Sequence, residues 1–279
     1  MPTRFAPSPT GQLHLGHAFS ALTAWEIAQK TDKRFILRIE DIDYQRCREE
    51  YEFQIYDDLK WLGISWETPV LRQKNRTNSY QQAIDILKEK DLIYPCRCTR
   101  SDIITALSAP HEASSFKTCP NLCRNRLMDD ITKDDNIRLN VTKSINYIKE
   151  FKSKSLSFME NFYNNKLNKI SLTSEYLQED IIVARKDIGT SYHLSVVIDD
   201  AFQKITHVVR GSDLLNFTPI QRLLQEILDL PQPFYHHHTL IFDENGKRLA
   251  KRETSTTLSE LRKNGTKPID IKRQFDLIN

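Results

Sequence analysis

The first seventeen residues constrain this chain more than any other stretch. Phe5 and Ala6 read as a short strand, and Pro7-Ser8-Pro9-Thr10-Gly11 as a rigid turn. A helix then starts at the two histidines, His14 and His17, with Phe19, Leu22, Trp25 and Ile27 as its apolar side. A strand that turns directly into a helix is the repeating unit of an α/β sheet. The helix start beneath a glycine-bearing loop is also an anion site, because its unpaired N–H groups and positive dipole end face outward. The prolines and glycines fix the loop and let its backbone approach a ligand. His14 and His17 add donors that a triphosphate can use. Gly11-x4-Gly16 has the glycine spacing of a P-loop, but His17-Ala18 stands where Lys-Ser/Thr is required, so that reading fails.

The rest of the chain repeats the pattern. Arg34-Phe35-Ile36-Leu37-Arg38-Ile39 reads as a buried strand that ends in Glu40-Asp41-Ile42-Asp43. Carboxylates at the C-terminal end of such a strand lie where α/β sheets bind ligands. A solvated acidic turn that caps the next helix is an equal alternative for Asp41 and Asp43. A helix over about 48–62, a strand at Val70-Leu71 and a helix through Tyr80, Ile84 and Leu87 complete one half of a parallel sheet. The pattern resumes with a helix through Tyr192-His193-Leu194 and a strand Ile205–Val209 that ends in Arg210-Gly211. Thr218 is placed to cap the helix that follows. In a chain with only seven glycines, Gly11, Gly16, Gly189, Gly211 and Gly246 all fall in or beside these stretches.

Between the halves, Cys96-x-Cys98 is followed by Cys119-x3-Cys123. Four thiols in two close pairs suit tetrahedral Zn2+, with four unconnected thiols as the alternative. The segment from Arg97 to Arg126 carries five Lys/Arg against two Asp/Glu, which suits contact with RNA phosphate. Residues 137–182 read as polar and irregular, with short strand candidates at Ile137–Val141, Ser155–Phe158 and Asp180–Val183. There Lys152, Lys154, Lys166 and Lys169 interleave with Phe151, Phe158, Phe162 and Tyr163, either as an RNA-binding mixture or as a solvated antiparallel face. The run His236-His237-His238 sits among apolar residues, so packing or ligand contact fits it better than a metal. The domain reading is therefore 1–94 and 184–230 as halves of one sheet, 95–183 as a zinc-bearing α+β insertion, and 231–279 as a basic loop with short helices. Forty Lys/Arg against 37 Asp/Glu permits a nucleic-acid partner without demanding one. No apolar run is long enough to span a membrane, so a soluble, cytoplasmic chain is expected.

The string Arg4 to His17 resembles the first signature of class I aminoacyl-tRNA synthetases, in the form used by the glutamyl branch. Asn245-Gly246-Lys247-Arg248-Leu249-Ala250-Lys251-Arg252, by itself a solvated basic loop, is similar to the second signature. The resemblance implies a Rossmann-like, doubly wound catalytic domain that condenses L-glutamate with ATP to glutamyl-adenylate, with Mg2+ accompanying the ATP. It implies catalytic roles for His14, His17 and Lys251. The ATP contacts it implies are Pro7, Thr10, Gly11, His14, Gly16, His17 and Lys251. Its glutamate contacts fall on Arg4, Ala6, Ser8, Glu40, Tyr192 and Arg210: the two arginines for carboxylates, Glu40 for the ammonium, Tyr192 for a hydroxyl contact. The family's zinc ligands fall on Cys96, Cys98, Cys119 and Cys123, with Cys119 standing where tyrosine is common. Ala250 replaces a serine, which predicts one missing hydroxyl contact to the phosphates.

Within that family the chain resembles the stand-alone glutamyl-queuosine branch. Full glutamyl enzymes carry a helical anticodon-binding region after the lysine loop, and none follows Lys251 here. This implies a monomer that activates glutamate without tRNA and transfers it to the queuosine base at the wobble position of tRNA(Asp). A truncated glutamyl-tRNA synthetase charging the 3′ end is one alternative, and a non-catalytic zinc- and RNA-binding paralogue is another.

Overall fold

The computed structural model describes residues 1–30, 34–99, 122–161, 167–241 and 256–275. Lys251 and Cys119 lie outside them, as do Gly246, Ala250, Phe162, Tyr163 and Lys166.

The main sheet is built from β1 (Thr3–Phe5), β2 (Phe35–Ile39), β3 (Glu67–Arg72), β6 (Ser157–Asn161), β7 (Leu167–Ser171), β9 (His207–Gly211) and β10 (Phe234–His238). Among the described residues its order is β3-β2-β1-β9-β10-β6-β7, parallel throughout except for the antiparallel edge pair β6/β7. Apolar runs in these strands follow from burial on both faces. In β2, Phe35, Leu37 and Ile39 enter one core with Ala18, Ala21 and Leu22, while Ile36 enters another with Val208 and Tyr235.

Helix α1 (Leu15–Gln29) follows β1. The expected apolar side is only partly what it buries: Leu22 is joined by Ala18, Ala21, Ala24 and Ala28, while Phe19 and Trp25 are half-buried. Small residues bring the helix axis close to the sheet, and Thr3 Oγ1 donates to Ala24 O at 2.7 Å. Helices α2 (Glu49–Trp61) and α3 (Thr77–Glu89) come next.

A second sheet, β4 (Ile93–Cys96), β5 (Asn136–Leu139) and β8 (Ile181–Ala184), is antiparallel in the order β4-β5-β8. It shares a core with α3, α4 (Val141–Lys152), α5 (Tyr192–Phe202) and α6 (Thr218–Ile227). Residues 141–152 are thus a helix where irregular chain was expected. Asn140 caps it by accepting from Lys143 N at 3.0 Å, and Val141, Ser144 and Ile148 are its buried side. Strands β6 and β7, inside the stretch read as an insertion, extend the main sheet instead. Lys152 pairs with Asp229 at 2.5 Å and Lys154 with Glu226 at 3.5 Å, which gives those lysines structural partners.

The last described helices, α7 (Leu258–Lys263) and α8 (Pro268–Gln274), pack Leu258 and Ile271 into the α1/α2 core. Thr257 forms a β-bridge with His14, which ties this end of the chain to the start of α1.

Candidate active site

The order β2-β1-β9 places β1 where connections run to opposite sides, the position at which α/β sheets hold ligands. A cleft of about 570 Å³ opens there, at the C-terminal ends of β1, β2, β9 and β10. Arg4, Ala6, Pro7, Ser8, His14, Gly16, His17, Glu40, Tyr192 and Arg210 all line it. Ten residues singled out from the sequence therefore meet in one place. Thr10 lines an adjoining cleft of about 600 Å³ that shares Ser8, Glu40 and Tyr192 with the first. Gly11 borders neither, and a Cβ there would meet no described protein atom within 4 Å. Among the described residues nothing requires glycine at that turn.

At the start of α1, His14 Nδ1 accepts from Gly16 N at 3.1 Å and His17 Nδ1 accepts from His14 N at 3.2 Å. An imidazole nitrogen that accepts carries no proton, so each neutral ring holds its proton on Nε2, where it can be donated to an anion. No acidic residue occupies the first turn, so protein side chains there leave the dipole's positive end uncompensated. On the same wall, His238 Nδ1 lies 2.8 Å from Thr239 O and its Nε2 2.6 Å from Ser20 Oγ. The carbonyl can only accept, so Nδ1 is the protonated nitrogen. Burial lowers the His238 pKa to about 4 and keeps the ring neutral.

Arg4, 5% exposed, donates from Nε to Asp200 Oδ1 at 3.2 Å and from Nη1 to Val209 O at 3.1 Å. The same Asp200 oxygen accepts from Arg38 Nη1 at 2.7 Å, and Arg38 Nη2 donates to Glu40 at 3.1 Å. Arg38 is fully buried, and it pairs two carboxylates across β2 and α5. Burial pushes the Glu40 carboxyl above its ordinary pKa, although Arg38 and Arg4 pull the other way. Burial also works to raise Asp200, but Arg4 and Arg38 together hold it below the usual carboxylate range. Asp199 next to it accepts from Tyr80, Gln73 and Arg76 at 2.7, 2.9 and 2.6 Å.

Arg210, also 5% exposed, donates to His237 Nε2 at 3.0 Å, Gln221 Oε1 at 2.8 Å and Thr218 Oγ1 at 2.8 Å. Thr218 therefore does not cap α6, which has no side-chain cap; its hydroxyl is turned inward to the guanidinium. Asp41 and Asp43 do not cap α2 either. Asp41 accepts from Lys74 N at 2.8 Å, and Asp43 pairs with Arg46 at 2.7 Å.

The wall of the cleft thus presents two buried guanidiniums, the carboxylates of Glu40 and Asp213, and a helix N-terminus. That set matches a zwitterion with a second carboxylate beside a polyphosphate. Arg38, Asp199 and Asp200 went unassigned in the sequence. Their signal was a charge inside an apolar run, since such residues are almost never fully buried unless paired.

Some distance along the chain, Cys96, Cys98 and Cys123 bring three sulfurs within 4.8 Å of one another. Tetrahedral Zn–S bonds of about 2.3 Å put sulfurs about 3.8 Å apart; Cys98 Sγ and Cys123 Sγ are 3.8 Å apart. Arg138 Nε donates to Cys96 Sγ at 3.3 Å, and Asp135 holds Arg126 nearby at 2.6 and 2.9 Å. The three thiols fit zinc, and the fourth expected ligand, Cys119, lies outside the described residues.

Residues 1–277 match the family described as tRNA synthetases class I (E and Q), catalytic domain. The chain is 42% identical to a Glutamyl-Q tRNA(Asp) synthetase of Rhodobacter capsulatus, over 99% of this chain and all of that protein. It is 35% identical to a protein of the same name from Nocardia farcinica, over 96% of this chain and 81% of that protein. A Glutamate--tRNA ligase of Prochlorococcus marinus is 38% identical over 94% of this chain, which spans only 55% of the ligase. Among solved structures, a glutamate-tRNA synthetase of Elizabethkingia anophelis superposes with a TM-score of 0.71 at 24% identity, over 95% of this chain and 54% of that one. Fold, cleft and full-length matches agree: the chain belongs to the class I tRNA synthetases for glutamate and glutamine, as a catalytic domain of that family.

Proposed function

We propose that this chain is a ligase that activates L-glutamate with ATP and transfers it to the queuosine base of tRNA(Asp). The full-length match at 42% identity to a protein of that name supports the reading. The observation that carries it is the cleft in which Arg4, Arg210 and Glu40 stand beside the start of α1.

Glutamate offers two carboxylates and an ammonium. Arg4 and Arg210 take the carboxylates, Glu40 the ammonium, and the Tyr192 hydroxyl adds a polar contact. The α-carboxylate attacks the α-phosphorus of ATP, and the bond to pyrophosphate breaks as negative charge builds on the departing oxygens. The Nε2–H groups of His14 and His17 and the N–H groups of α1 stabilise that charge. Donors fixed before the reaction are worth most where charge develops. The family resemblance assigns Lys251 to the phosphates as well. Mg2+, which accompanies ATP in this class, supplies further charge neutralisation. No side chain acts as a nucleophile, so orientation and charge carry the step. The acceptor hydroxyl then attacks the activated carbonyl and AMP leaves. It enters by the adjoining cleft, which shares Ser8, Glu40 and Tyr192 with the first. Cys96, Cys98 and Cys123, with Cys119 as the fourth ligand, would hold a structural zinc.

The test is two assays on one preparation. ATP–pyrophosphate exchange should depend on glutamate and proceed without tRNA. Labelled glutamate should then pass to total tRNA from queuosine-replete cells and not to tRNA from queuosine-deficient cells. Label on both pools that disappears with the terminal 3′ adenosine means ordinary charging and overturns the transfer step. Absence of exchange overturns the activation step.

A further inference from the structure

We propose that Glu160 and His237 are positioning residues for Arg210, wired across three strands so that its guanidinium stays charge-compensated yet open to a substrate carboxylate. The proposal deepens the function above and rests on Arg210 reading a glutamate carboxylate.

Sheet register sets up the relay. β6 and β10 run parallel with Tyr235 opposite Glu160, and β10 and β9 run parallel with His237 opposite Arg210. Glu160 is fully buried and His237 is 2% exposed. One Glu160 oxygen accepts the His237 backbone N–H at 2.9 Å, and the other lies 2.7 Å from His237 Nδ1. The opposite ring nitrogen, Nε2, lies 3.0 Å from Arg210 Nε. A guanidinium has donors only, so Nε2 accepts and the imidazole proton sits on Nδ1, directed at the Glu160 carboxylate. Burial lowers the His237 pKa and keeps the ring neutral. The Tyr235 ring, stacked parallel to His237, lies under the guanidinium with its centroid 5.4 Å from Arg210 Cζ.

Among the described residues Arg210 has no carboxylate partner of its own. It spends one N–H on His237, one on Gln221 and one on Thr218, all neutral acceptors. Of its five N–H groups this leaves one on each Nη for the cleft it lines. A carboxylate in direct contact would occupy that fork. The neutral imidazole instead keeps Glu160 one ring away, near enough to offset a buried cation and too far to compete with substrate. Each link has a fixed direction. Reversing one hydrogen bond disturbs the next.

That polarity makes the relay testable by substitutions of similar size. Glu160→Gln offers one acceptor and one donor where His237 presents two donors; either a donor is orphaned or the ring proton moves to Nε2, against Arg210 Nε–H. His237→Phe removes both links, whereas His237→Gln keeps an acceptor toward Arg210 and a donor toward Glu160. In ATP–pyrophosphate exchange, half-saturating glutamate should rise about tenfold or more for Glu160→Gln and His237→Phe, with half-saturating ATP unchanged. His237→Gln should recover most of the loss. Imidazole nitrogen NMR of the unsubstituted protein should show His237 protonated on Nδ1 and bare on Nε2. The proposal is overturned by unchanged glutamate dependence in folded variants, by glutamate and ATP dependence worsening together, by a His237→Gln variant as poor as His237→Phe, or by a proton on Nε2. An unsubstituted protein inert with glutamate would refute the underlying function instead, and the NMR result would still decide the wiring.

Discussion

Replacing Asp200 by Asn should destabilise the fold by about 3–5 kcal/mol, the usual cost of breaking a buried ion pair. The structure gives the reason. Asp200 is 7% exposed, and one of its oxygens serves Arg4 at 3.2 Å and Arg38 at 2.7 Å. At an effective dielectric near 20, those separations correspond to attractions of about 5 and about 6 kcal/mol. Removing the charge also relieves several kcal/mol of desolvation, and the Asn oxygen keeps one hydrogen bond, so the net loss is a fraction of the sum. Glu40 alone then faces two buried guanidiniums. Urea unfolding at pH 7, followed by the fluorescence of Trp25, Trp61 and Trp66, measures the loss. The pH dependence is a second check. Arg4 and Arg38 hold the folded-state pKa of Asp200 down, so its contribution is complete above the unfolded carboxylate value of about 3.9 and disappears as pH falls through the lower folded value. The gap between the two proteins should be the same at pH 7 and pH 5 and narrow only below about pH 4. A loss under about 1 kcal/mol, or a gap that closes between pH 7 and 5, would refute the paired-arginine account.

Other predictions follow from single residues. Cys98→Ser or Cys123→Ser should abolish stoichiometric zinc in metal analysis of the purified protein; zinc retained by both variants would contradict the thiol site. Burial raises the Glu40 pKa, so half-saturating glutamate should climb on acidification before free carboxylates titrate, and Glu40→Gln should remove that dependence. Asp58 is pushed up to about 6 by burial, so its charged form costs stability above that pH. Asp58→Asn should therefore stabilise by up to about 3 kcal/mol at pH 7 and change little below pH 4, read from thermal melts.

The opening signature was legible because strand, turn and helix are local. Arg4, His14, His17 and their neighbours needed no knowledge of the remaining chain to be placed at a sheet's ligand edge. The strand pattern put Glu40 and Arg210 at strand ends, but the glutamate roles of Arg4, Glu40, Tyr192 and Arg210 were legible only through family resemblance, since the sequence does not show which strand end meets which. The helix Val141–Lys152 was hidden by its lysines and asparagines, although Val141, Ile145 and Ile148 keep helical spacing beneath an Asn cap. Strands 157–161 and 167–171 looked like part of the insertion because strand pairing is a long-range choice. The 157–161 strand joins the main sheet through Glu160 and Tyr235, seventy-five positions apart in sequence. Thr218 was read from local capping preference, but a buried guanidinium nearby claimed its hydroxyl. Arg38, Asp200 and Glu160 share one lesson. A charge within an apolar strand or helix has a partner elsewhere in the fold, and that partner is supplied by topology.

The most direct test of the central claim is the chemical identity of the wobble nucleoside. Queuosine-bearing tRNA(Asp) would be incubated with the protein, ATP, Mg2+ and labelled glutamate, then digested to nucleosides and analysed by mass spectrometry. The account predicts label on a glutamylated queuosine and none on the 3′-terminal adenosine. Label on that adenosine, with queuosine recovered unchanged, would contradict it.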